Sequence, residues 1–295
     1  MSTTSVRSIG EAAGRSEFTF SDKDFSTIAS ILYADAGIVL KPEKAMLVYS
    51  RLTKRLRALG LESFAAYCAL VSEREGVPER REMLAALTTN VTHFFREEHH
   101  FDHLRTRVLP QLLAQARKGG RVRIWSAGCS NGHEPYSIAM TILSLMGNAH
   151  ELDIRILASD IDPHVVAFGQ AGFYDDAALE NVPDALRRKF FQRSTSPSGQ
   201  VMSEVSPQMR ALVAFRELNL MGRWPMSRPF DVIFCRNVVI YFDEPSRQTI
   251  WNRFRDTLAP GGVLYVGHSE RVTGPGSARL SLEATTTYRA KEERA

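Results

Sequence analysis

The stretch RIWSAGCSNGHEPYSIA, residues 123–139, reads as a buried strand, a glycine loop and a helix in direct succession. Loops of this kind that hold a dinucleotide follow G-x-G-x-x-G, with the pyrophosphate over the helix N-terminus. Here the glycines are Gly128 and Gly132, four apart, and Glu134 stands where the helix begins. A carboxylate in that place repels a phosphate strongly if the pocket is partly dry. It either complements the helix dipole or faces a ligand that carries positive groups and ribose hydroxyls but no phosphate.

Outward from this stretch the chain alternates strands and helices. RVRIWSA, IRILASD, ALVAFRELN, FDVIFCRN and GVLYVGH are near-continuous apolar runs, most of them separated by helical segments. That pattern predicts the α/β class, with a parallel sheet covered on both faces. Open sheets of this class bind ligands at the carboxyl ends of their strands. The second strand ends at Asp160, the position from which such a sheet grips a ribose. Asp162, followed by Pro163, is the better helix cap, which leaves Asp160 for the ligand. The fourth strand ends in CRNVVIYF, with Arg236 and Asn237 at its edge, and the third in ELNL, residues 217–220. S-adenosylmethionine suits these positions: it has a sulfonium, an ammonium and an adenosine, and no phosphate. Between the second and third strands, Gly172 to Arg210 is too long for a simple connection. Its polar middle, QRSTSPSGQVMSEVSP, predicts a small insertion with short strands. The ending ARLSLEATTTYRAK predicts two more short strands.

Upstream, Phe20 to about Ala116 is helical in period. Five helices are expected, the first capped by Ser21 and stopped at Gly37, the second closed by Gly60, and the fifth running from Phe94 to the Gly119-Gly120 break. The expected domains are therefore a tail (1–19), a helical domain (20–117) and an α/β domain (118–295) with its insertion at about 172–210. On the second helix, Lys41, Lys44, Arg51, Lys54, Arg55 and Arg57 face one acid, Glu43. Arg51, Lys54 and Arg55 lie off the apolar stripe of Leu52, Leu56 and Leu59, as one positive face suited to an acidic partner. The patch is short and has few interleaved aromatics, so nucleic acid is not expected.

With 44% hydrophobic and 24% charged residues, the 295-residue chain has the composition of an ordinary globular protein, at a net charge of only +4. Cys68, Cys129 and Cys235 are isolated, which favours a reducing cytoplasm over disulfides or zinc. No apolar run is long enough to span a membrane, and the first residues do not read as a signal peptide. His99 and His103 share a helix face, but no third ligand stands at a recognisable spacing, and no metal is expected.

The segments TTNVTHFFREEHHF, WSAGCSNGHEPYSIA, ASDIDPHV, FDVIFCRNVVIYFD and LAPGGVLYVGHSE occur in the order and spacing of the CheR family, which this chain resembles from Phe20 to Ala290. CheR enzymes are S-adenosylmethionine-dependent methyltransferases that esterify glutamates on bacterial chemotaxis receptors. The resemblance implies a helical N-terminal domain and a class I, Rossmann-like methyltransferase domain with a small inserted β-subdomain. It implies cofactor contacts from Asn90, Thr92, Arg96, Glu134, Asp160, Asn219, Leu220, Arg236 and Asn237, with Tyr241 near the methyl group. It also implies a monomer in the cytoplasm, recruited to receptor arrays, with a receptor's methylation helices as partner and S-adenosylhomocysteine as product. His133 stands where the family pattern has an acid, and Asn131 where it often has Thr. The turn RSTSPSGQ has one glycine, which counts against tethering of a receptor's C-terminal pentapeptide through a glycine-rich turn.

A glutamate side chain is already an anion at pH 7, so its methylation needs alignment and partial desolvation but no general base. Arg96 and Tyr241 are the candidates for orienting the reacting groups. The bland readings are a helix-surface ion pair of Arg96 with Glu98 or another acid and a buried, hydrogen-bonded Tyr241. Rival functions are a class I methyltransferase with another substrate, a binding module that has lost methyl transfer, and action in a chemosensory pathway other than motility. The segment Asn237-Val238-Val239-Ile240 lacks the Pro-Pro-aromatic tetrad usual in base N-methylation.

Overall fold

The computed structural model describes residues 17–291. It divides into two compact units, one reaching to Thr89 and including Tyr241–Asp243, the other formed by Asn90–Ile240 and the chain from Glu244 onward.

Among the described residues the first unit holds four α-helices: α1 (Asp22–Ala36), α2 (Ala45–Leu59), α3 (Phe64–Ser72) and α4 (Val77–Leu87). Ser21 and Asp24 form a capping box at the start of α1, and Gly37 and Gly60 end α1 and α2 in the left-handed region. Ile28, Leu32, Val48, Leu52, Leu56, Phe64 and Tyr67 are buried between the helices. Burial of each such side chain contributes about 1.5–3 kcal/mol. The expected tail lies mostly outside the described residues, but Glu17 pairs with Arg57 and the Phe18 N–H donates to Tyr49, so this unit includes residues ahead of Phe20. Tyr241–Asp243 joins this unit through local bonds. The Val39 N–H donates to the Tyr241 carbonyl at 2.9 Å, Ile38 bridges Phe242, and the Tyr33 hydroxyl donates to Asp243 at 2.8 Å.

The fifth predicted helix belongs to the second unit, which moves the division from residue 117 to Thr89. It runs as α5 (Glu98–His103), a π-helical segment (Leu104–Val108) and α6 (Leu109–Arg117). Its apolar face explains the assignment: Phe101, Leu104, Val108, Leu109 and Leu113 pack into the same core as the sheet residues Val122, Ile124 and Ile156. Periodicity shows that a helix is amphipathic, not which core it covers.

The remaining elements are β1 (Val122–Ala127), α7 (His133–Leu145), β2 (Ile154–Asp160), α8 (Pro163–Ala171), β3 (Phe173–Tyr174), α9 (Asp184–Phe190), β4 (Phe191–Thr195), β5 (Val201–Val205), α10 (Pro207–Leu212), β6 (Val213–Glu217), β7 (Phe230–Cys235), α11 (Glu244–Thr257), β8 (Leu258–Val266), α12 (Pro275–Ala278), β9 (Leu280–Ala284) and β10 (Thr287–Ala290). The main sheet has the order β6-β2-β1-β7-β8-β10-β9. Its first five strands are parallel, and β10 runs antiparallel between β8 and β9, so the sheet is mixed and not wholly parallel. β9 and β10 are joined by a two-residue turn, which permits only antiparallel pairing between them. The insertion forms a separate antiparallel sheet, β3-β5-β4, and also carries the helix α9. Strand order reverses between β1 and β7, and the crevice at such a switch point, beyond the carboxyl ends, is where these folds hold ligands.

Candidate functional site

Beyond β1 the chain turns at Gly128, whose φ is 84° and whose position would place a Cβ within 2.3 Å of a Val238 methyl. Only glycine fits there. The Gly128 and Cys129 N–H groups donate to the Ser159 carbonyl at 2.8 and 2.9 Å, and the Ser130 N–H donates to Asp160 Oδ2 at 2.8 Å. The Asp162 N–H donates to Asp160 Oδ1 at 3.1 Å. The loop after β1 is thus fastened to the end of β2 through one buried carboxylate. Burial pushes the Asp160 carboxyl above its ordinary range, opposed by these backbone bonds. Asp162 caps α8 by accepting the His164 N–H at 2.9 Å, and it also accepts the Asn90 amide at 2.8 Å.

Glu134 sits in the first turn of α7 and is tied across the crevice. Its Oε1 accepts the Ser126 hydroxyl at 2.6 Å and its Oε2 the Arg236 guanidinium at 3.1 Å. Burial raises its carboxyl above the usual range, while Arg236 and Ser126 oppose the shift. The side chain of Arg236 is 2% exposed. It also donates to the Arg96 carbonyl, lies 3.4 Å from Glu97 and stands 5.6 Å from the centre of the Phe101 ring. Glu97, at a φ of 57°, accepts the His268 N–H at 3.2 Å and faces the buried His100 at 3.4 Å. Burial works against the Glu97 carboxylate, but Arg236 and His268 hold it below its ordinary value. His100 is driven down to about 3, chiefly by burial and then by Arg236.

The other predicted positions are distributed as follows. Asn237 follows Arg236 with a φ of 61°. Asn219 accepts the Met221 N–H at 2.8 Å through its side chain, and Leu220 is buried beside it. Glu217, Leu218, Asn219, Gly222, Arg223 and Pro225 line a cavity of 720 Å³ beyond β6. Thr92 and Arg96 are half-buried in an irregular segment, Asn90–Glu97, that precedes α5. The helix expected to begin at Phe94 starts four residues later, because Phe95 and Glu97 have positive φ. Arg96 donates to the Val91 carbonyl at 3.0 Å. Tyr241 is 38% exposed, in a 3-10 turn (Val239–Tyr241) after β7, so it is not a buried tyrosine.

The positive face expected on α2 does not stand free. Arg55 makes a forked pair with Glu79 at 2.9 and 2.6 Å, and Arg51 donates to the Ala86 and Thr88 carbonyls. The opposing acid and carbonyls come from α4 and its end, which the charge pattern of one helix does not reveal. Lys54 remains exposed. The histidines after Glu97 are also placed by other contacts: His103 Nδ1 meets the Tyr265 hydroxyl at 2.9 Å, and His100 Nε2 meets Thr286 at 2.8 Å.

Sequence reasoning passed over Ser126, Glu97, His268 and Glu270. The signal was modest: Glu97 adjoins Arg96, and Glu270 closes the motif GHSE. The residues present fit S-adenosylmethionine. Two carboxylates largely withdrawn from solvent, Glu134 and Asp160, stand at the switch point where a pyrophosphate would be repelled and where ribose hydroxyls and cationic groups find acceptors.

The family model described as the CheR methyltransferase SAM-binding domain matches residues 90–288, and that of the CheR methyltransferase all-alpha domain matches residues 23–88. The chain is 54% identical over 259 residues to a probable chemotaxis protein methyltransferase of Rhizobium etli, covering 88% of this chain and 96% of that protein. It is 40% identical over 270 residues to the chemotaxis protein methyltransferase of Escherichia coli, covering 91% of each. With both of its units matched in this way, the chain belongs to the CheR methyltransferase family.

Proposed function

We propose that this S-adenosylmethionine-dependent methyltransferase esterifies glutamate side chains on the cytoplasmic methylation helices of a chemoreceptor, as a monomer recruited to receptor arrays. The observation that carries the reading is the pair of carboxylates, half-buried Glu134 and buried Asp160, fixed at the crevice by Arg236, Ser126 and the backbone of Ser130. S-adenosylmethionine, when bound, supplies an electrophilic methyl carbon on a sulfonium. Asp160 would hold the ribose, and Asn90, Thr92, Arg96, Asn219, Leu220, Arg236 and Asn237 would complete the cofactor shell. Glu134 balances positive charge inside a site from which water is partly excluded.

The acceptor carboxylate is ionised at neutral pH and needs no proton removed, so the protein's task is alignment. Arg96 and Tyr241 would orient the reacting groups. Lys54, exposed on α2, would contribute to docking of acidic receptor helices, an attraction that salt screens.

The test is transfer of labelled methyl from S-adenosylmethionine to receptors from the same cell. Label that is released by mild alkali, and absent when the receptor's methylation-site glutamates are changed to alanine, is the expected result. Alkali-stable label would point to nitrogen methylation and overturn the ester reading.

A further inference from the structure

The crevice also contains an anion that belongs to the protein itself. After β7, the backbone N–H groups of three successive residues, Asn237, Val238 and Val239, converge on the carboxylate of Glu270. Oε1 accepts from Val238 and Val239, each at 2.9 Å, while Oε2 accepts from Asn237 at 2.9 Å and from Gly267 at 2.6 Å. Glu270 is 3% exposed. Runs of successive N–H groups with one residue in the left-handed region are the concavities that bind anions. Asn237, at a φ of 61°, supplies that conformation here. Gly267 completes the fit, since a Cβ there would lie 2.6 Å from the Asn237 amide and 2.8 Å from Glu270 Oε2.

The turn so held connects the elements of the site. Arg236, which pairs with Glu134 and Glu97, immediately precedes it. The 3-10 turn that ends at Tyr241 begins at Val239 within it. A non-glycine residue at positive φ is costly and persists only where the surroundings impose it. Four charge-assisted bonds to one carboxylate are enough to do so.

We infer that Glu270 is a positioning residue for methyl transfer: its carboxylate is a built-in counter-anion that fixes the Arg236–Val239 turn and so presets the cofactor contacts. This rests on the proposal that Arg236 and Asn237 touch the cofactor. Glu270 itself need not touch it and acts through the backbone.

The experiment compares wild type with Glu270→Gln and Glu270→Ala, reading two quantities. One is amide hydrogen exchange of the peptide spanning residues 235–241 without cofactor. The other is affinity for S-adenosylhomocysteine by calorimetry. Glutamine turns one acceptor oxygen into a donor facing two N–H groups, so exchange should accelerate and affinity should fall about tenfold or more. Alanine vacates the nest, and added formate, against chloride at equal ionic strength, should slow the exchange again and recover affinity in this variant alone. Should alanine fail to fold, the glutamine variant carries both readouts. Unchanged exchange, faster exchange at undiminished affinity, or a folded alanine variant indifferent to formate would each overturn the inference. If wild type itself ignored S-adenosylhomocysteine while exchange followed Glu270 and formate, the cofactor reading would fail and the nest would stand. Glu270 would then no longer be a positioning residue for methyl transfer.

Discussion

Arg236, just past the end of β7, and Glu134, in the first turn of α7, form an ion pair at 3.1 Å across the switch point, with both side chains largely withdrawn from solvent. The same guanidinium lies 3.4 Å from Glu97, so one cation serves two carboxylates. Removing one partner of a buried pair leaves a charge with neither water nor counter-ion, at a cost of about 3–5 kcal/mol. Arg236→Ala is therefore expected to lower the unfolding free energy from urea titration by an amount in that range and to abolish S-adenosylhomocysteine binding. Lysine in its place keeps the charge but loses the fork that spans Glu134, Glu97 and the Arg96 carbonyl, and should recover part of the stability. A loss below about 1 kcal/mol for the alanine variant would contradict the shared-cation reading.

Asp160 has a double task. Its two oxygens organise the loop after β1 by accepting from Ser130 and Asp162, and each retains capacity for a ribose hydroxyl. Asp160→Asn puts an amide donor against one of those N–H groups and removes the charge. Affinity for S-adenosylhomocysteine should drop by about tenfold or more, as for a lost hydrogen bond to a charged group. Calorimetry checks this, and unchanged affinity would remove Asp160 from the cofactor shell.

What the sequence made legible was local. Strand ends at Asp160 and Cys235, the cap at Asp162 and the helix stops at Gly37 and Gly60 depend on neighbours within a few residues. What it concealed was the choice of partner across the chain. Glu97 meets Arg236 from 139 positions away (236 − 97), and Glu270 meets the N–H groups of a turn some 30 residues upstream. Tyr241 likewise follows β7 in sequence yet belongs to the helical unit, where its carbonyl accepts the Val39 N–H. Periodicity carries no information on such pairings, because each is fixed by topology and only then by side-chain reach.

The second helix illustrates the consequence. Arg51, Lys54 and Arg55 suggest one docking face, but Arg55 is held by Glu79, which is buried and also accepts the Tyr67 hydroxyl at 2.9 Å. Arg55→Ala strands that carboxylate and should cost about 3 kcal/mol. Lys54→Glu alters an exposed position and should change stability by no more than about 0.5 kcal/mol. The same change should raise the KM for an acidic receptor, with the difference shrinking at high salt. Urea titration and methylation assays at two ionic strengths separate the two effects. Equal stability losses for both variants would refute the division between structural and docking charges.

His133 gives the expected response to acid. Its ring lies 4.6 Å from Phe94 and 5.1 Å from Tyr174, and its Nδ1 is buried with no hydrogen-bond partner among the described residues. Burial pulls its pKa from 6.5 down to about 4, His93 adding to the shift and Asp175 opposing it. Between those values the unfolded chain binds a proton that the folded protein excludes, so stability falls as pH falls. The contribution is complete above 6.5, diminishes as pH drops towards 4 and changes little below; it amounts to roughly 3 kcal/mol at most. His133→Phe keeps an aromatic ring among aromatic neighbours and removes the titration. At pH 7 its unfolding free energy from urea titration should stay within about 1 kcal/mol of wild type, and at pH 5 it should be the more stable of the two. Parallel pH profiles for the two proteins would show that this histidine takes its proton in the folded state as readily as in the unfolded one.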